Sequence, residues 1–355
     1  MNRKDFLRLA GGAAAASAIP RPMWANPQTP QKNWVWVRGD LHDVEPWKAD
    51  IARWRASGIH AALFEIEDAE ALSRIIPAAR AEGIEPHVWI HTMMQRGAIE
   101  QNPEWGAVNR SGDSTATDPP YVEYYRFMCP TREPVRRYLV DRVERLAALD
   151  GLASVQLDYI RVPDVILPRQ LWEQYGLVQD REHPEFDYCY CDVCRARFRE
   201  QTGDDPLDLP DPPADERWLQ FRYDAITAIV NELADVAHGA DKQLTAAVFP
   251  TPTIAKQLVR QDWLNWNVDA VLPMLYQSFY LEPVDWIEEG AREGVTALAG
   301  RIPLYAGLYV PELTPAELAQ AVEAARAGGA AGISLFESRT PTDAHWRELA
   351  AVLNA

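Results

Sequence analysis

Eight short runs of β-forming residues alternate with amphipathic helical segments along most of this sequence. The runs lie at positions 34–37, 61–64, 87–90, 154–157, 244–248, 270–274, 304–308 and 332–336. The clearest helical patterns lie at positions 47–57, 69–81, 134–149, 225–237 and 315–327. Strands that alternate with helices form parallel sheets, because each helix returns the chain to the edge at which the next strand begins. The order of elements therefore predicts an α/β fold built on a parallel sheet.

The number of repeats and the absence of one motif together favour a closed barrel. Eight strand–helix units are the number found in a (β/α)8 TIM barrel, and residues 33–355 are predicted to form one such domain. A doubly wound open sheet is the alternative, but no glycine-rich phosphate turn follows the first strand. Two long insertions, at about 95–130 and 164–214, follow strands three and four. Barrel enzymes build their pockets from the loops at those strand ends, so we expect the functional site there.

The first 25 residues are predicted to be an export signal and not part of the barrel. Arg3 and Lys4 precede a Phe-Leu pair, a weakly apolar stretch follows, and Ala25 offers a small residue for cleavage. The segment resembles a twin-arginine signal in which lysine replaces the second arginine, so the general secretory route stays open. A buried N-terminal helix is the alternative. We expect an exported, periplasmic protein without a membrane span, since no apolar run approaches the ~20 residues that a bilayer requires.

The charge of the chain argues against two classes of partner. The sequence has 52 acidic and 35 basic residues, which gives a formal net charge of −17. A surface with this excess of negative charge repels nucleic-acid phosphates and anionic lipid headgroups. We therefore expect neither nucleic acid nor a membrane as a partner, whereas a neutral substrate such as a carbohydrate stays open.

The four cysteines are candidates for a structural metal site. Cys189, Cys191 and Cys194 form a C-x-C-x2-C motif inside the second insertion, and Cys129 lies at the end of the first. Four thiolates hold Zn²⁺ in a closed tetrahedral site, which is structural because no position is left for a substrate. Two disulfides, Cys191–Cys194 and Cys129–Cys189, are one alternative that export permits. Four free thiols are the other, and no organic cofactor is expected.

Carboxylates at the strand ends are the candidate catalytic residues. Asp158 ends strand four, and Glu337 after strand eight is its favoured partner, with Glu65 after strand two as the second choice. Glycoside hydrolysis uses two carboxyl groups across the scissile bond, one as an acid and the other as a base or nucleophile. The alternatives are structural, since Asp158 could form a buried brace with Arg161, and Glu337 a salt bridge with Arg339.

Aromatic and polar side chains near the same strand ends are candidate carbohydrate-binding residues. Aromatic rings stack on the C–H faces of sugars, whereas sugar hydroxyls require polar partners. The predicted set consists of the rings of Trp89, Tyr276 and Tyr309 and the polar side chains of Arg38, Glu65, His91 and Arg161. Core packing is the alternative for the tryptophans, and it is the favoured interpretation for Trp34, Trp47 and Trp54.

Several enzyme classes are disfavoured because their motifs are missing from the sequence. It holds no glycine-rich phosphate loop, no serine nucleophile elbow and no His-Glu-x-x-His helix. Nucleotide enzymes, esterases and zinc peptidases therefore do not fit.

Two resemblances to known families bear on fold and function. The segment 156–163, Gln-Leu-Asp-Tyr-Ile-Arg-Val-Pro, resembles the strand-four motif of the hypothetical glycosyl hydrolase-like barrels labelled family-10-like, with Val162 in place of an aromatic residue. Cys129-Pro130 and the segments 271–276 and 307–309 are also similar to parts of those proteins. The cysteine motif is similar to the zinc site of family 42 β-galactosidases, in which an earlier cysteine completes the set. That family has an Asn-Glu pair where this chain has Leu157-Asp158, so the resemblance implies the zinc and not the galactosidase activity.

Together these features predict a glycoside hydrolase that acts on an extracytoplasmic poly- or oligosaccharide through Asp158 and Glu337. The alternative is a non-catalytic carbohydrate-binding barrel that kept the cleft without the chemistry. A barrel hydrolase that acts on amide bonds is a third, weaker interpretation.

Overall fold

Eight strands form a single parallel sheet in the structure, a computed structural model that describes residues 31–354. The export signal predicted at 1–25 lies outside the described residues. The strands are β1 Trp34–Val37, β2 Ala61–Phe64, β3 Glu85–His91, β4 Ser154–Asp158, β5 Gln243–Val248, β6 Ala270–Pro273, β7 Ala306–Tyr309 and β8 Ile333–Phe336. All eight predicted runs coincide with a strand.

The sheet closes on itself, which confirms the barrel and excludes the open doubly wound sheet. Its order is β6-β5-β4-β3-β2-β1-β8-β7, so the first strand pairs with the last. Trp34 lies opposite Ser334 in that β1–β8 pairing. The remaining gap, between β6 and β7, is bridged at two points, Val271 with Leu304 and Met274 with Gly307. This β6–β7 seam is the weakest part of the barrel wall.

Eleven α-helices accompany the strands in residues 31–354. They are α1 Lys48–Ala56, α2 Ala69–Ala81, α3 Arg96–Gln101, α4 Glu133–Ala147, α5 Leu171–Tyr175, α6 Asp192–Thr202, α7 Glu216–Gly239, α8 Pro252–Val259, α9 Trp286–Leu298, α10 Pro315–Ala327 and α11 Asp343–Leu353. The bounds predicted for α2 and α10 agree with the structure. Helix α7 begins well before position 225, because the Asp215 side chain accepts hydrogen bonds from the backbone amides of Arg217 and Trp218 and caps the helix there. No helix of the described chain is both long enough and apolar enough to cross a bilayer.

Large side chains from several strands fill the inside of the barrel. The interior cluster includes Trp34, Trp36, Leu63, Trp89 and Leu272, which are all almost completely buried. The rings of Trp36 and Trp89 meet edge to face, with centroids 4.8 Å apart. Filled layers of this kind make the barrel a packed core and leave substrate space only at its ends.

Tryptophans outside the barrel interior also pack into the core, as predicted. Trp47 and Trp54 lie in the second large apolar cluster, between the strands and the outer helices, and both are buried.

The two insertions pack against each other above the C-terminal ends of the strands. They cover 92–132 after β3 and 159–215 after β4, and they share a buried cluster that includes Ala107, Val162, Tyr188 and Phe198. An isolated bridge joins Asn109 to Tyr188 across them. Since helix α7 contributes Trp218 to the same cluster, the insertions are anchored to the barrel and form one wall above it.

Candidate active site

A cavity of about 380 Å³ lies at the C-terminal ends of the strands, where the sequence predicts the functional site. Its size falls in the range of small-molecule sites, roughly 300–1,000 Å³. The strand ends contribute Trp36, Trp89, His91, Asp158, Ala247, Tyr309 and Phe336, and the segment just after β6 contributes Met274 and Tyr276. The insertions contribute Tyr121, Tyr124, Tyr125, Tyr159, Arg161, Asp164, Leu171 and Tyr175. Most of the lining residues carry aromatic rings.

Asp158 is the last residue of β4, and its carboxyl group faces the cavity. The indole Nε1 of Trp89 donates a hydrogen bond to Asp158 Oδ2 at 3.0 Å, and the backbone amide of Tyr159 donates to Oδ1 at 2.7 Å. Burial raises the pKa of Asp158 above its ordinary value, although the charges of His91 and Arg161 and both hydrogen bonds act in the opposite direction. Asp158 therefore keeps its proton to a higher pH than an exposed aspartate and can serve as a proton donor.

Arg161 lines the cavity, but its partner is Asp164 and not Asp158, so the alternative of an Asp158–Arg161 brace does not apply. Its Nη1 donates to Asp164 Oδ2 at 2.9 Å, and its Nη2 donates to the Tyr125 hydroxyl at 2.6 Å. The Tyr125 hydroxyl in turn donates to Asp164. The guanidinium also lies over the rings of Tyr125, Phe127, Tyr159 and Phe249. Arg161 thus joins the two insertions in the cavity wall, and Asp158 remains outside that ion pair.

Glu65 lies behind the cavity lining and connects two residues that line it. Its Oε2 accepts a hydrogen bond from Arg38 Nε at 2.7 Å, and its Oε1 lies 3.3 Å from His91 Nε2. The Arg38 guanidinium lies over the Trp89 ring, 5.5 Å from its centroid. Of the polar side chains predicted to bind substrate, Arg38 and His91 therefore line the cavity, and Glu65 orients both from outside it.

Glu337 is not among the residues that line the cavity, although the preceding residue, Phe336, is. The Glu337 Oε2 accepts weak hydrogen bonds from Ser338 Oγ at 3.4 Å and from the backbone amide of Arg339 at 3.3 Å. The Arg339 guanidinium lies instead over the Trp47 ring, and within residues 31–354 no side-chain ion pair joins it to Glu337. The two predicted catalytic carboxylates are thus placed differently, with only Asp158 in the cavity lining.

Tyr276 and Tyr309 form the aromatic side of the cavity opposite the insertions. Their ring centroids are 5.2 Å apart, and Tyr309 stacks on Phe336. Burial, and after it the charge of Asp158, raises the pKa of the Tyr276 hydroxyl, which therefore stays a neutral donor. Among the described hydrogen bonds, none uses the hydroxyl of either tyrosine, so both are available to a substrate.

Asp164 and Phe249 are cavity residues that the sequence analysis did not single out. A signal for Asp164 was present, since an aspartate three residues after Arg161 is a possible local ion-pair partner. Phe249 follows β5 directly, and its position one residue past a strand end was the available hint.

Three of the four cysteines meet between the insertions. The Sγ of Cys129 lies 3.4 Å from those of Cys191 and Cys194, which are 3.5 Å from each other. All four cysteines are buried and unlinked. Hydrogen bonds from the thiols of Cys129 and Cys194 lower the pKa of Cys191, and hydrogen bonding to Cys129, Cys189 and Cys191 raises that of Cys194. The cluster brings one thiol from the first insertion to two from the second, close enough together to hold a metal ion.

The structural neighbours of this protein are glycoside hydrolases. The barrel is similar to a β-galactosidase from the Antarctic haloarchaeon Halorubrum lacusprofundi, with a TM-score of 0.65 and 14% identity over 91% of this chain and 57% of that one. The catalytic domain of a β-amylase from Paenibacillus polymyxa gives a TM-score of 0.62 and 10% identity over 91% of this chain and 97% of that one. The PgaB (BpsB) glycoside hydrolase domain from Bordetella bronchiseptica gives a TM-score of 0.62 and 14% identity over 91% of this chain and 99% of that one.

These comparisons define the fold and not the roles of individual residues. By sequence, the chain matches no known protein family and no curated protein. At 10–14% identity a structural likeness reports the barrel alone, and the chain spans 57% of the length of the haloarchaeal β-galactosidase. The likeness to family-10-like proteins therefore stays a resemblance, and the chemistry of the site rests on its own geometry.

The arrangement combines what recognition and cleavage of a sugar require. A buried carboxyl group with a raised pKa lies on β4, aromatic rings form the sides, and the Tyr276 hydroxyl is near enough for the charge of Asp158 to act on its pKa. This lining suits a neutral ring with hydroxyl groups, because Asp164 is already paired with Arg161 and the pKa of Asp158 is raised by burial. Asp158 can donate a proton to such a ligand directly.

Proposed function

We propose that this protein hydrolyses a glycosidic bond in an extracytoplasmic poly- or oligosaccharide, with Asp158 as the proton donor. The observation that carries the proposal is the environment of Asp158, a carboxyl group that ends a barrel strand, faces an aromatic cavity and has a raised pKa. A carboxyl group kept protonated by burial is the usual acid of a glycosidase, since it must protonate the leaving oxygen.

The cavity walls are suited to hold the sugar beside that acid. The rings of Tyr276 and Tyr309 would stack on the C–H faces of the substrate, and Arg38 and His91 would bind its hydroxyl groups. Trp89, predicted as a third stacking ring, is only 2% exposed and would instead hold Asp158 through its indole N–H. Glu337 remains the predicted second carboxylate, with Glu65 as the second choice. A separation of about 5–5.5 Å between the two carboxyl groups accompanies retention, and about 6.5–9.5 Å accompanies inversion of the anomeric carbon.

A screen of polysaccharides, oligosaccharides and nitrophenyl glycosides, read by release of reducing ends or nitrophenol, tests the activity. We expect at least one substrate to be cleaved by the wild type, and Asp158→Asn to abolish that cleavage. Asp150→Asn, on an exposed residue outside the cavity, is the matched control and should keep full activity. Full activity in Asp158→Asn would overturn the assignment.

The stability of Asp158→Asn separates a catalytic role from a structural one. Because the folded-state pKa of Asp158 is raised, wild-type stability falls relative to the neutral variant as the pH rises through about 4 towards the folded-state value. We therefore expect the melting temperature of Asp158→Asn at pH 7 to be no lower than that of the wild type. A strong decrease would favour a structural brace.

A sugar-binding barrel without catalysis is the second candidate, and one observation favours it. Within residues 31–354 the carboxylates that line the cavity are Asp158 and Asp164, and Asp164 is already paired with Arg161. A single free carboxyl group in the cavity suffices for binding. Glycan binding without product release by the wild type, measured on a glycan array and by calorimetry, would select this function.

We further propose that the cysteine cluster binds one structural Zn²⁺ ion. Tetrahedral zinc with thiolates at ~2.3 Å places the sulfurs about 3.8 Å apart, and those of Cys129, Cys191 and Cys194 lie 3.4–3.5 Å apart. Cys189, which is also buried and precedes Cys191 by two residues, would supply the fourth ligand. These buried thiols therefore fit the ion, which would hold the two insertions together and leave no position for a substrate.

A further inference from the structure

The cavity places a histidine, and not a second free carboxylate, beside Asp158. His91 ends β3 and lies opposite Asp158 in the pairing of β3 with β4. Both residues line the cavity, whereas Glu65 and Glu337 do not. Residues opposite each other on neighbouring parallel strands project from the same face of the sheet. The positive charge of His91 is one of the influences that act on the carboxyl group of Asp158.

The imidazole of His91 is held from several sides. Its Nε2 lies 3.3 Å from Glu65 Oε1, and the other carboxylate oxygen of Glu65 is bound by Arg38. The ring meets that of Tyr159 edge to face at 5.0 Å. The backbone carbonyl of His91 accepts a hydrogen bond from the buried Arg142 at 2.9 Å. The Nδ1 atom makes no hydrogen bond within the described chain, so it is the nitrogen left for substrate or water.

We infer that His91, oriented by Glu65, is the second proton-transfer group of the active site. This inference rests on the hydrolysis proposed above and places the histidine in the role that the sequence analysis gave to Glu337. A carboxylate hydrogen-bonded to one imidazole nitrogen fixes the tautomer and stabilises the imidazolium that forms when the other nitrogen takes up a proton. The Glu65–His91 pair, which we call the dyad, places Glu65 Oε1 3.3 Å from His91 Nε2, within reach of such a hydrogen bond.

The reaction step balances with water as the co-reactant. Nδ1 of neutral His91 removes a proton from a water molecule as the water oxygen forms a bond to the anomeric carbon. The bond from that carbon to the glycosidic oxygen breaks, its electron pair stays on that oxygen, and Asp158 donates the proton that completes the leaving hydroxyl group. Asp158 is then a carboxylate and His91 an imidazolium beside Glu65. Transfer of one proton from His91 to Asp158, directly or through solvent, restores the starting state, and the anomeric configuration is inverted.

Kinetics of matched variants tests the dyad on whichever substrate the screen identifies. We expect His91→Gln to lower kcat/KM by about 10²–10⁴-fold, the usual contribution of a general base. Glu65→Gln should lower it less, because the imidazole remains. His42→Gln, an exposed histidine after β1, should keep wild-type activity. Added imidazole should restore part of the activity of His91→Ala, which a structural loss would not allow.

The pH profile gives a second, independent readout. The active form carries one proton shared between Asp158 and His91, so the wild-type profile should be bell-shaped. The charged or titratable groups that face His91 are Asp158 from β4, Glu65 after β2 with its partner Arg38 after β1, and Tyr159 after β4. Without His91 the fall in rate on the acid side should disappear, while the fall on the alkaline side, caused by ionisation of Asp158, should persist. A bell-shaped pH profile in His91→Gln identical to that of the wild type would overturn the dyad.

NMR of the His91 ring distinguishes failure of the dyad from failure of the proposed function, since it needs no substrate. The ring ¹⁵N signals, identified by their loss in His91→Gln, should show the proton of the neutral imidazole on Nε2, the nitrogen that faces Glu65, and Glu65→Gln should remove that preference. A tautomer that Glu65→Gln leaves unchanged would overturn the dyad even if glycans are cleaved. Absence of any cleavage by the wild type would instead overturn the hydrolase and leave binding as the function.

Discussion

At the scale of single residues, Arg161 has two aspartates at equal distance in the sequence and forms an ion pair with only one of them, Asp164. Asp158 and Asp164 are each three positions from Arg161 in the sequence. Asp158 stays on β4 and is turned towards the cavity by hydrogen bonds from Trp89 and the Tyr159 amide, so its oxygens are already engaged. Asp164 lies in the insertion, where it meets the guanidinium. The position of each aspartate in the fold, and not its distance from Arg161 in the sequence, therefore decides which one forms the ion pair.

Asp164→Asn tests how much that buried pair contributes. Both side chains are almost completely buried, with 6% exposure for Arg161 and 3% for Asp164. Removing the carboxylate leaves a buried guanidinium without its counter-charge, and we expect the free energy of unfolding to fall by about 3–5 kcal/mol. Equilibrium unfolding in urea measures this loss of free energy.

The control is Asp204→Asn, which removes an exposed ion pair with Arg217. Surface pairs contribute about 0–1 kcal/mol, so this variant should be nearly as stable as the wild type. Equal losses in Asp164→Asn and Asp204→Asn would contradict the structural importance of the buried pair.

At the scale of elements, the β6–β7 seam depends on a glycine. Gly307 lies opposite Met274 in one of the two bridges across the seam, where the backbones approach closely. A Cβ at position 307 would lie 2.6 Å from the carbonyl oxygen of Pro273, a backbone atom that cannot move aside cheaply. The seam therefore closes because this position carries no side chain.

Gly307→Ala should accordingly loosen the barrel. Forcing a methyl group against the backbone of β6 costs roughly 1–3 kcal/mol, by analogy with overpacked cores, and we expect a lower melting temperature. Calorimetry of the purified variant measures the decrease. Gly239→Ala, in α7, is the matched control because a Cβ there meets no atom within 4 Å, and its stability should be unchanged or slightly increased. A Gly307→Ala variant as stable as this control would contradict the claim that the β6–β7 seam requires glycine at position 307.

Removal of metal tests whether zinc joins the insertions. We expect elemental analysis to find about one zinc per chain, and a strong chelator or Cys194→Ser to lower the melting temperature and to make 92–132 and 159–215 sensitive to protease. Asp192→Asn, next to the cysteines but without a sulfur, is the control and should retain the metal. Protein without zinc and without titratable thiols would instead indicate the two disulfides.

Regular elements were easier to predict from the sequence than the insertions. All eight strands and the bounds of α2 and α10 agree with the structure, because apolar periodicity and the Thr314 capping box are local signals. The helices α3, α5 and α6 inside the insertions were not predicted. They are 5–11 residues long, and a helix this short is stabilised by tertiary packing more than by its own sequence.

At the scale of the whole molecule, export is a proposal that a cell-fractionation experiment tests. We expect the full chain, expressed in a Gram-negative bacterium, to appear in the periplasm with a mature N-terminus at residue 26, read by N-terminal sequencing. Replacing Arg3 and Lys4 by glutamine should leave it in the cytoplasm, because the charged region before the apolar stretch is lost. Uncleaved wild-type protein in the cytoplasm would refute an export signal.

The sequence by itself determined the number and order of the strand–helix units, the end of the barrel that carries the site, the position of Asp158 at a strand end and the pairing of cysteines from two insertions. These follow from periodicity, turn residues and motif spacing, which act over a few residues. Closure of the barrel decided the rest. It left Glu337 outside the cavity lining, paired Arg161 with Asp164, and set His91 beside Asp158 with Glu65 behind it. Such partnerships depend on which side chains meet across strands that are far apart in the chain, and only the folded barrel brings those strands together.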